Sequence, residues 1–281
     1  MKKINIAKNA GFCFGVKRAV SLALNGAKKH KDIYMLGDIV HNEHVVEKIK
    51  NSGIKVVENI NQIKKGVLLL QAHGTPPEIY SKAKKRCLKI VDATCPLVLE
   101  IHEYAKKLEE EGYKVIIIGD YNHDEVIGIA SQLKNSIIVA KPEDINKKIK
   151  NIIKKIGVVV QSTQNIENTK KIIAELIPKC RKLKFIDTIC GPTKSYQREI
   201  RSMPLNNDIM IIVGSFKSAN TCRLTEISKS LNTNTYQVES ENDIKTKWLQ
   251  SAETVGITAG ASTPDWIINK VIKKIRSLNF N

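Results

Sequence analysis

The amino-acid sequence predicts an α/β protein made of three related βαβα units. Three cysteines supply the first observation, because each follows a short apolar run and precedes a helical pattern. The spacing supplies the second, since each cysteine lies 24 positions before a glycine that ends the next apolar run: Cys13 and Gly37, Cys95 and Gly119, Cys190 and Gly214. A third apolar run, followed by small or hydroxyl residues, also recurs. This period indicates an internal repeat with pseudo-threefold symmetry.

The boundaries of the units are expected close to the cysteines. We expect units at 14–95, 96–189 and 190–281, with the N-terminal strand segment 1–13 completing the third sheet. That strand has no helix of its own before Cys13, which is why we assign it to the third unit. A chain of 281 residues allows about 90 residues per unit, which is workable if the units pack on one another.

The hydrophobic pattern places the elements inside each unit. Apolar residues at helical spacing predict helices at 14–29, 96–111 and 265–276. Continuous apolar runs bounded by glycine predict buried strands at 33–36, 67–70, 115–118, 157–160, 209–213 and 256–260. Short strands are also expected just before the three cysteines.

Composition and charge bound the class of protein. The net charge of +18 invites a nucleic-acid interpretation, but only seven of the 46 basic residues are arginine and aromatic residues are sparse. We therefore expect a solvated lysine-rich surface that attracts an anionic substrate or an acidic protein, and no nucleic acid. No apolar run approaches the roughly 20 residues of a membrane span, and the N-terminal residues lack a long apolar stretch, so we expect no signal peptide. A cytoplasmic location without membrane association is expected.

The three repeated cysteines are candidate metal ligands. Each is expected where a strand hands over to a helix N-terminus, a position that favours a thiolate. A shared axis would bring three thiolates together, and these soft ligands suit either zinc or an iron–sulfur cluster. The alternative is three unrelated buried cysteines, because cysteine is often a small apolar core residue. Cys87, Cys180 and Cys222 fall outside the pattern and are interpreted as structural or incidental.

Polar residues follow the predicted strands at equivalent points of the repeats. Histidines, hydroxyls and amides at carboxyl ends of strands, beside helix N-termini, are suited to a phosphate or diphosphate. The candidates are His41, His73, His123, Ser162, Thr163 and the Ser, Asn and Thr residues of segments 214–221 and 260–264. His123 and Glu125 also make a plausible proton-transfer pair. The chain lacks the glycine-rich motifs of ATP-binding and dinucleotide-binding folds.

Seven blocks of sequence, in order, carry a resemblance to a known family. They include 11–16 around Cys13, His41-Asn42, Ala72-His73-Gly74, 92–98 around Cys95, 123–128, Thr188-Ile189-Cys190 and 256–264. Over essentially its whole length the chain resembles the IspH/LytB family of 4-hydroxy-3-methylbut-2-enyl diphosphate reductases. The fold implied is three pseudo-threefold-related units around a central iron–sulfur cluster.

The resemblance implies roles for individual residues. Cys13, Cys95 and Cys190 match the ligands of a 4Fe–4S cluster with one open iron. The histidines His41, His73 and His123 match diphosphate-binding residues, as do Ser218, Asn220 and Ser262. Glu125 matches the acid that helps to protonate the leaving hydroxyl.

The chain departs from the family pattern at three places. Ser162-Thr163 replaces two threonines, and we assign the functional hydroxyl to Ser162 with Thr163 as its substitute. Ala219 replaces the second of two serines in the substrate-binding segment, which implies one lost side-chain contact. Gly191-Pro192 differs from the usual stretch after the third cysteine, so the start of that helix is open.

The implied activity is the last step of the methylerythritol phosphate route to isoprenoids. An allylic diphosphate would lose its hydroxyl as water and give isopentenyl and dimethylallyl diphosphate. Ferredoxin or flavodoxin is the implied electron donor. Two alternatives stay open: another threefold, three-cysteine iron–sulfur enzyme resembling quinolinate synthase, and an iron–sulfur sensor or nucleic-acid binder that uses the basic surface.

Overall fold

The computed structural model describes residues 3–278, which divide into two compact units. Of these residues, the first unit comprises 3–16, 41–45 and 191–278, and the second comprises 17–40 and 46–190. Residues 1–2 of the expected N-terminal strand segment and 279–281 of the expected third repeat lie outside the described part. The three repeat boundaries proposed from the sequence stay a prediction.

The described residues form short strands and helices in regular alternation. The strands are β1 (Lys3–Ile6), β2 (Ile33–Leu36), β3 (Lys55–Val57), β4 (Val67–Leu70), β5 (Lys89–Asp92), β6 (Lys114–Ile118), β7 (Ser136–Val139), β8 (Ile153–Val160), β9 (Cys180–Phe185), β10 (Ile209–Val213), β11 (Thr235–Val238) and β12 (Thr254–Ala259). The helices are α1 (Phe14–Lys29), α2 (Glu43–Asn51), α3 (Pro77–Lys85), α4 (Pro96–Glu110), α5 (Asp124–Ala130), α6 (Glu143–Lys148), α7 (Ile166–Leu176), α8 (Gly191–Ser202), α9 (Ala219–Leu231), α10 (Thr246–Leu249) and α11 (Asp265–Ser277).

The strands form three parallel sheets of four strands each, which confirms the predicted α/β class. The second unit contains the sheets β3-β2-β4-β5 and β7-β6-β8-β9, and the first unit contains β1-β12-β10-β11. All pairings are parallel. We number the four strands of each sheet in chain order and count β1 as the fourth strand of the sheet that contains β10, β11 and β12. All three sheets then have the spatial order 2-1-3-4. The pairing of β1 with β12 matches the expectation for the N-terminal strand.

One backbone hydrogen bond recurs at the same place in each sheet. The glycine after the first strand donates its N–H to the last residue of the edge strand: Gly37 to Val57 O at 3.1 Å, Gly119 to Val139 O at 3.0 Å, and Gly214 to Val238 O at 2.8 Å. The edge strands β3, β7 and β11 were missed by the sequence pattern. They are only three or four residues long, and several of their side chains are half-buried. Their alternation of apolar and polar residues is therefore too short to distinguish from a loop.

The core of each sheet follows from side-chain alternation. In β10, Ile209, Ile211 and Val213 face the cluster that includes Val271 and Ile275 of α11. Met210 and Ile212 of the same strand face the other side, where α8 and α9 contribute Ile200 and Leu224. A strand covered on both faces reads as a continuous apolar run, which is why these strands were predictable. Within residues 3–278, no helix is long and apolar enough to cross a bilayer.

Candidate functional site

The candidate residues lie at the carboxyl ends of the first and third strands of each sheet. These strands are neighbours whose connections leave in opposite directions, which is the usual binding crevice of an open parallel sheet. Four residues after the first-strand glycine stand His41, His123 and Ser218. After the third strand, the equivalent positions hold His73, Thr163 and Ser262. The repeat therefore places two sets of three polar side chains at matching points.

The three predicted ligand cysteines occupy equivalent places after the fourth strands. Each backbone N–H donates to the loop that follows the third strand of the same sheet: Cys13 to Ala261 O at 3.1 Å, Cys95 to Ala72 O at 2.9 Å, and Cys190 to Ser162 O at 3.0 Å. Each accepting residue directly precedes a member of the second polar set. Cys13 belongs to the first compact unit, and Cys95 and Cys190 belong to the second.

The chemistry of these cysteines fits a soft metal or an iron–sulfur cluster. The structure carries all three as half-buried thiols directly before a helix. Cys95 precedes Pro96, which starts α4 without needing an N–H partner, and Cys190 precedes α8 at Gly191. This resolves the start of α8, which the sequence had left open. Thiolates near helix N-termini are stabilised as anions, the form that binds metal.

Glu125 is the most deeply buried carboxyl group among the candidates. Its side chain is 2% exposed, in the first turn of α5. Ser162 donates to it twice, from the backbone N–H to Oε1 at 2.5 Å and from Oγ to Oε2 at 2.7 Å. Burial raises the pKa of Glu125 to about 7, and the two bonds from Ser162 oppose that rise while Asp120 adds to it. A carboxyl group of this kind can hold a proton at neutral pH and release it.

His123 and His73 lie beside Glu125 in the second compact unit. His123 is the N-cap of α5, and its Nδ1 accepts a hydrogen bond from the backbone N–H of Glu125 at 3.1 Å. The carboxyl group of Glu125 is held instead by Ser162, so the expected His123–Glu125 pair is linked through the backbone. The rings of His73 and His123 meet edge to face, with centroids 5.7 Å apart at 85°. The structure thus brings His73, His123, Glu125 and Ser162 into one cluster.

A second cluster lies in the first compact unit. Ser218 caps α9, and its Oγ accepts from the backbone N–H of Thr221 at 3.4 Å. Ser262 Oγ lies 3.3 Å from His41 O and 3.4 Å from Ser218 Oγ, so its single O–H can donate to either oxygen. Asn220 is 4% exposed, and its Nδ2 has no hydrogen-bond partner among the described residues. An amide donor, two hydroxyls and a helix N-terminus are suited to an anion such as a diphosphate.

Two supporting residues escaped the sequence analysis. Gln161 is fully buried; its Oε1 accepts from the N–H of Asp120 at 2.9 Å, and its Nε2 donates to Thr163 Oγ1 at 3.0 Å. Thr221 is also fully buried, so close to Gly260 that a Cβ there would lie 1.9 Å from Thr221 Oγ1. A glutamine directly after an apolar strand, at both Gln71 and Gln161, is the sequence signal that would have found the first. Thr221 gives no such signal, because an internal helical threonine is common.

Comparisons with known proteins agree with the resemblance. The family model "LytB protein" matches residues 4–276. A 4-hydroxy-3-methylbut-2-enyl diphosphate reductase from Geobacter metallireducens is 39% identical over 277 residues, covering 99% of this chain and 98% of the relative. The protein of that name from Aquifex aeolicus is 41% identical over 284 residues, covering 99% and 97%.

Solved structures give the same result. A structure described as (E)-4-hydroxy-3-methyl-but-2-enyl diphosphate reductase, the terminal enzyme of the non-mevalonate pathway, is 41% identical with a TM-score of 0.72, covering 99% of this chain and 100% of that one. The E-1-hydroxy-2-methyl-but-2-enyl-4-diphosphate reductase from Plasmodium falciparum is 31% identical with a TM-score of 0.92, covering 97% and 87%. The match of fold, equivalent cysteines and nearly full-length similarity shows that the chain belongs to the LytB protein family.

Proposed function

We propose that this chain is an oxidoreductase that converts 4-hydroxy-3-methylbut-2-enyl diphosphate into isopentenyl and dimethylallyl diphosphate. The observation that carries the proposal is the buried Glu125–Ser162 pair beside His73 and His123, in a chain whose full-length relatives bear the name of this reductase. The reaction takes up two electrons and two protons, breaks the allylic C–O bond, forms a C–H bond and releases water. This is the last step of the methylerythritol phosphate route.

Proton delivery is the part of the reaction that Glu125 can perform. With a pKa raised to about 7, its carboxyl group is substantially protonated at neutral pH. Ser162 Oγ, 2.7 Å from Oε2, orients the group and can share its proton. A hydroxyl group is a poor leaving group until it is protonated, so an acid at this point lowers the barrier to C–O cleavage. Thr163, which accepts from Gln161, is the substitute hydroxyl at the same strand end.

Binding of the diphosphate is assigned to three histidines and three other polar side chains. His41, His73 and His123 would supply imidazole donors, and Ser218, Asn220 and Ser262 would supply hydroxyl and amide donors. The unpartnered Nδ2 of Asn220 supports this assignment, because a buried amide donor costs free energy until a ligand accepts from it. Ala219, on the first turn of α9, offers only its backbone N–H to the same anion.

We assign the metal centre to Cys13, Cys95 and Cys190 as ligands of a 4Fe–4S cluster with one open iron. When bound, the cluster supplies electrons and a Lewis-acidic iron. The equivalent positions of the three thiols and their fixed backbone N–H groups support this assignment. The basic surface, with its net charge of +18, favours acidic ferredoxin or flavodoxin as the electron donor. A cytoplasmic location stays a prediction.

The function is tested anaerobically with the purified, cluster-loaded protein. Addition of 4-hydroxy-3-methylbut-2-enyl diphosphate to protein and reduced methyl viologen should oxidise the dye and form both isoprenoid diphosphates. Oxidation of the dye should depend on the substrate. A fully loaded protein that forms neither product would contradict the proposed activity and favour another three-cysteine iron–sulfur enzyme.

The ligand assignment is tested by iron and sulfide content. Replacing Cys13, Cys95 or Cys190 by serine should abolish stable cluster binding, because serine is a harder and less acidic ligand. Cys180→Ser is the matched control, since Cys180 packs at the start of β9 with its thiol 3.6 Å from Leu176 O. A Cys180→Ser protein that loses its iron, or a Cys95→Ser protein that keeps it, would refute the assignment.

A further inference from the structure

His102 is a buried histidine to which neither the repeat nor the family resemblance assigns a role. It projects from α4 and is only 5% exposed. Its Nε2 has no hydrogen-bond partner among the described residues. Burial is the main cause that lowers the pKa of His102 to about 4, so the ring is neutral at neutral pH. Burying a polar nitrogen without a partner costs free energy, and this cost calls for a compensating role.

The imidazole of His102 packs directly on the backbone of Gly74. A Cβ built on Gly74 would lie 2.9 Å from His102 Cε1 and 3.0 Å from Nε2. Gly74 has a φ of 92°, which a side chain would also disfavour. The loop 71–76 therefore rests on the ring of His102 with no side chain between them.

The same ring also approaches α5 at Gly128. A Cβ on Gly128 would lie 3.5 Å from the carbonyl carbon of Gly74 and 3.6 Å from His102 Nε2. Three backbone segments, 71–76, α4 and α5, thus meet around one imidazole. All three belong to the second compact unit.

The two segments that contact His102 carry candidate substrate groups. His73 directly precedes Gly74 in the loop, and Glu125 lies one helical turn before Gly128 in α5. His123 caps the same helix and meets the ring of His73 edge to face. A displacement of the loop relative to α5 would change that ring contact.

We propose that His102 is a positioning residue, whose imidazole holds the loop that carries His73 against the helix that carries Glu125. The role assigned to His73 rests on the proposed function, whereas the packing by His102 does not. His102 touches neither substrate nor cluster in this account. It sets the separation of His73 from the proton donor Glu125.

The test replaces His102 by leucine. A cavity of about 230 Å³ beside His102, lined also by Thr75, Leu99 and Gln132, leaves room for the new side chain. We expect the KM for the substrate to rise about tenfold, as for one weakened hydrogen bond to a charged ligand, with a much smaller change in kcat. In NMR spectra of cluster-loaded protein with isotope-labelled histidine, the ring signals of His73 and His123 should shift, because their edge-to-face contact changes.

Ile101→Val is the matched control for this test. Ile101 is the neighbouring core residue of α4, and its truncation removes one buried methylene group from that core while His102 stays in place. In Ile101→Val, the KM for the substrate and the NMR signals of His73 and His123 should stay as in the wild-type protein. The proposal is overturned if His102→Leu leaves both readouts unchanged, or if Ile101→Val reproduces its effects. If the unchanged protein reduces no substrate, the proposed function fails, whereas the histidine signals still decide the role of His102.

A second pair of variants approaches the same contact from α5. Gly128→Leu would push a side chain between α5 and Gly74 while keeping His102, and should raise the KM and shift the His73 signal in the same way. In Gly128→Ala the new Cβ meets only ordinary contacts at 3.5 Å, so both readouts should stay unchanged. If Gly128→Leu leaves them unchanged too, the proposal is wrong, even where His102→Leu does not fold.

Discussion

At the scale of single residues, the chemistry concentrates on one carboxyl group. Glu125 lies in a buried position that penalises its charge, and Ser162 donates two hydrogen bonds to it at the distances given above. Burial wins over these bonds, so its pKa is raised to about 7 and not lowered. We therefore expect Glu125 to make both the activity and the stability depend on pH.

Replacing Glu125 by glutamine should lower kcat severely while leaving the cluster in place. Glutamine keeps the size of the side chain but cannot deliver a proton, and loss of a general acid costs about a hundredfold or more. Turnover in the anaerobic assay, together with iron content, measures the effect. A variant with near-normal turnover would remove Glu125 from the role of acid.

The pH profile should respond to Ser162. Activity that needs the protonated Glu125 falls as the pH rises through about 7. The side-chain hydrogen bond from Ser162 lowers the pKa of Glu125, so Ser162→Ala should move the alkaline limb of kcat to higher pH. Ser162→Thr keeps the hydroxyl and should leave the limb in place. A shift to lower pH in Ser162→Ala would contradict this coupling.

The free energy of unfolding should also depend on pH through Glu125. Its folded-state pKa of about 7 lies above the ordinary value of 4.5, so the folded state retains a proton that the unfolded state loses. The stabilisation is complete below pH 4.5 and declines as the pH rises to about 7, by about 3 kcal/mol. Urea unfolding at pH 5 and pH 8 should show a smaller decline for Glu125→Gln. Equal declines in both proteins would show that Glu125 is charged at pH 5.

At the scale of elements, close packing of α9 against two strand ends shapes the first compact unit. Thr221 fills the space between Gly214, after β10, and Gly260, after β12. Ser218 caps α9, Asn220 lies in its first turn, and Ser262 lies two residues after Gly260, so this packing sets the separation of three candidate anion-binding side chains. Thr263 adds a hydrogen bond from Oγ1 to Val213 O at 3.0 Å.

Gly260→Ala should strongly destabilise the protein. Its Cβ would lie 1.9 Å from Thr221 Oγ1, and overpacking of this kind costs about 1–3 kcal/mol. Gly191→Ala is the control, because a Cβ at that helical position meets no described residue outside the local helix backbone within 4 Å, and alanine favours a helix. Thermal unfolding of both variants measures the difference. A Gly260→Ala protein as stable as the control would show that α9 shifts freely.

At the scale of the whole molecule, charge should govern the encounter with the electron donor. The net charge of +18 attracts an acidic protein at long range, and salt screens that attraction within about 10 Å at 0.1 M. Reduction by ferredoxin or flavodoxin should therefore slow as salt rises. Reduction by methyl viologen, a small cationic dye, should not slow. Equal salt responses of the two donors would argue against electrostatic docking.

The repeat itself was determined by the sequence. Buried parallel strands read as continuous apolar runs, and glycines and cysteines at a constant spacing mark their ends, so the α/β class and the candidate positions at strand ends could be predicted from local pattern alone. The edge strands of three or four residues could not be predicted, because so short a segment shows no detectable hydrophobic periodicity. The family resemblance, and not the pattern, attached roles to Cys13, Glu125 and the histidines.

Only the tertiary structure decided which side chains meet. It joined Glu125 to Ser162, 37 residues later in the chain, and linked His123 to Glu125 through the backbone instead of the carboxyl group. It also placed His102 on Gly74, and Thr221 on Gly260. Such contacts depend on strand order and helix packing, which are non-local. The sequence therefore determined where the candidate site residues lie along the chain, whereas folding decided the burial that raises the pKa of Glu125.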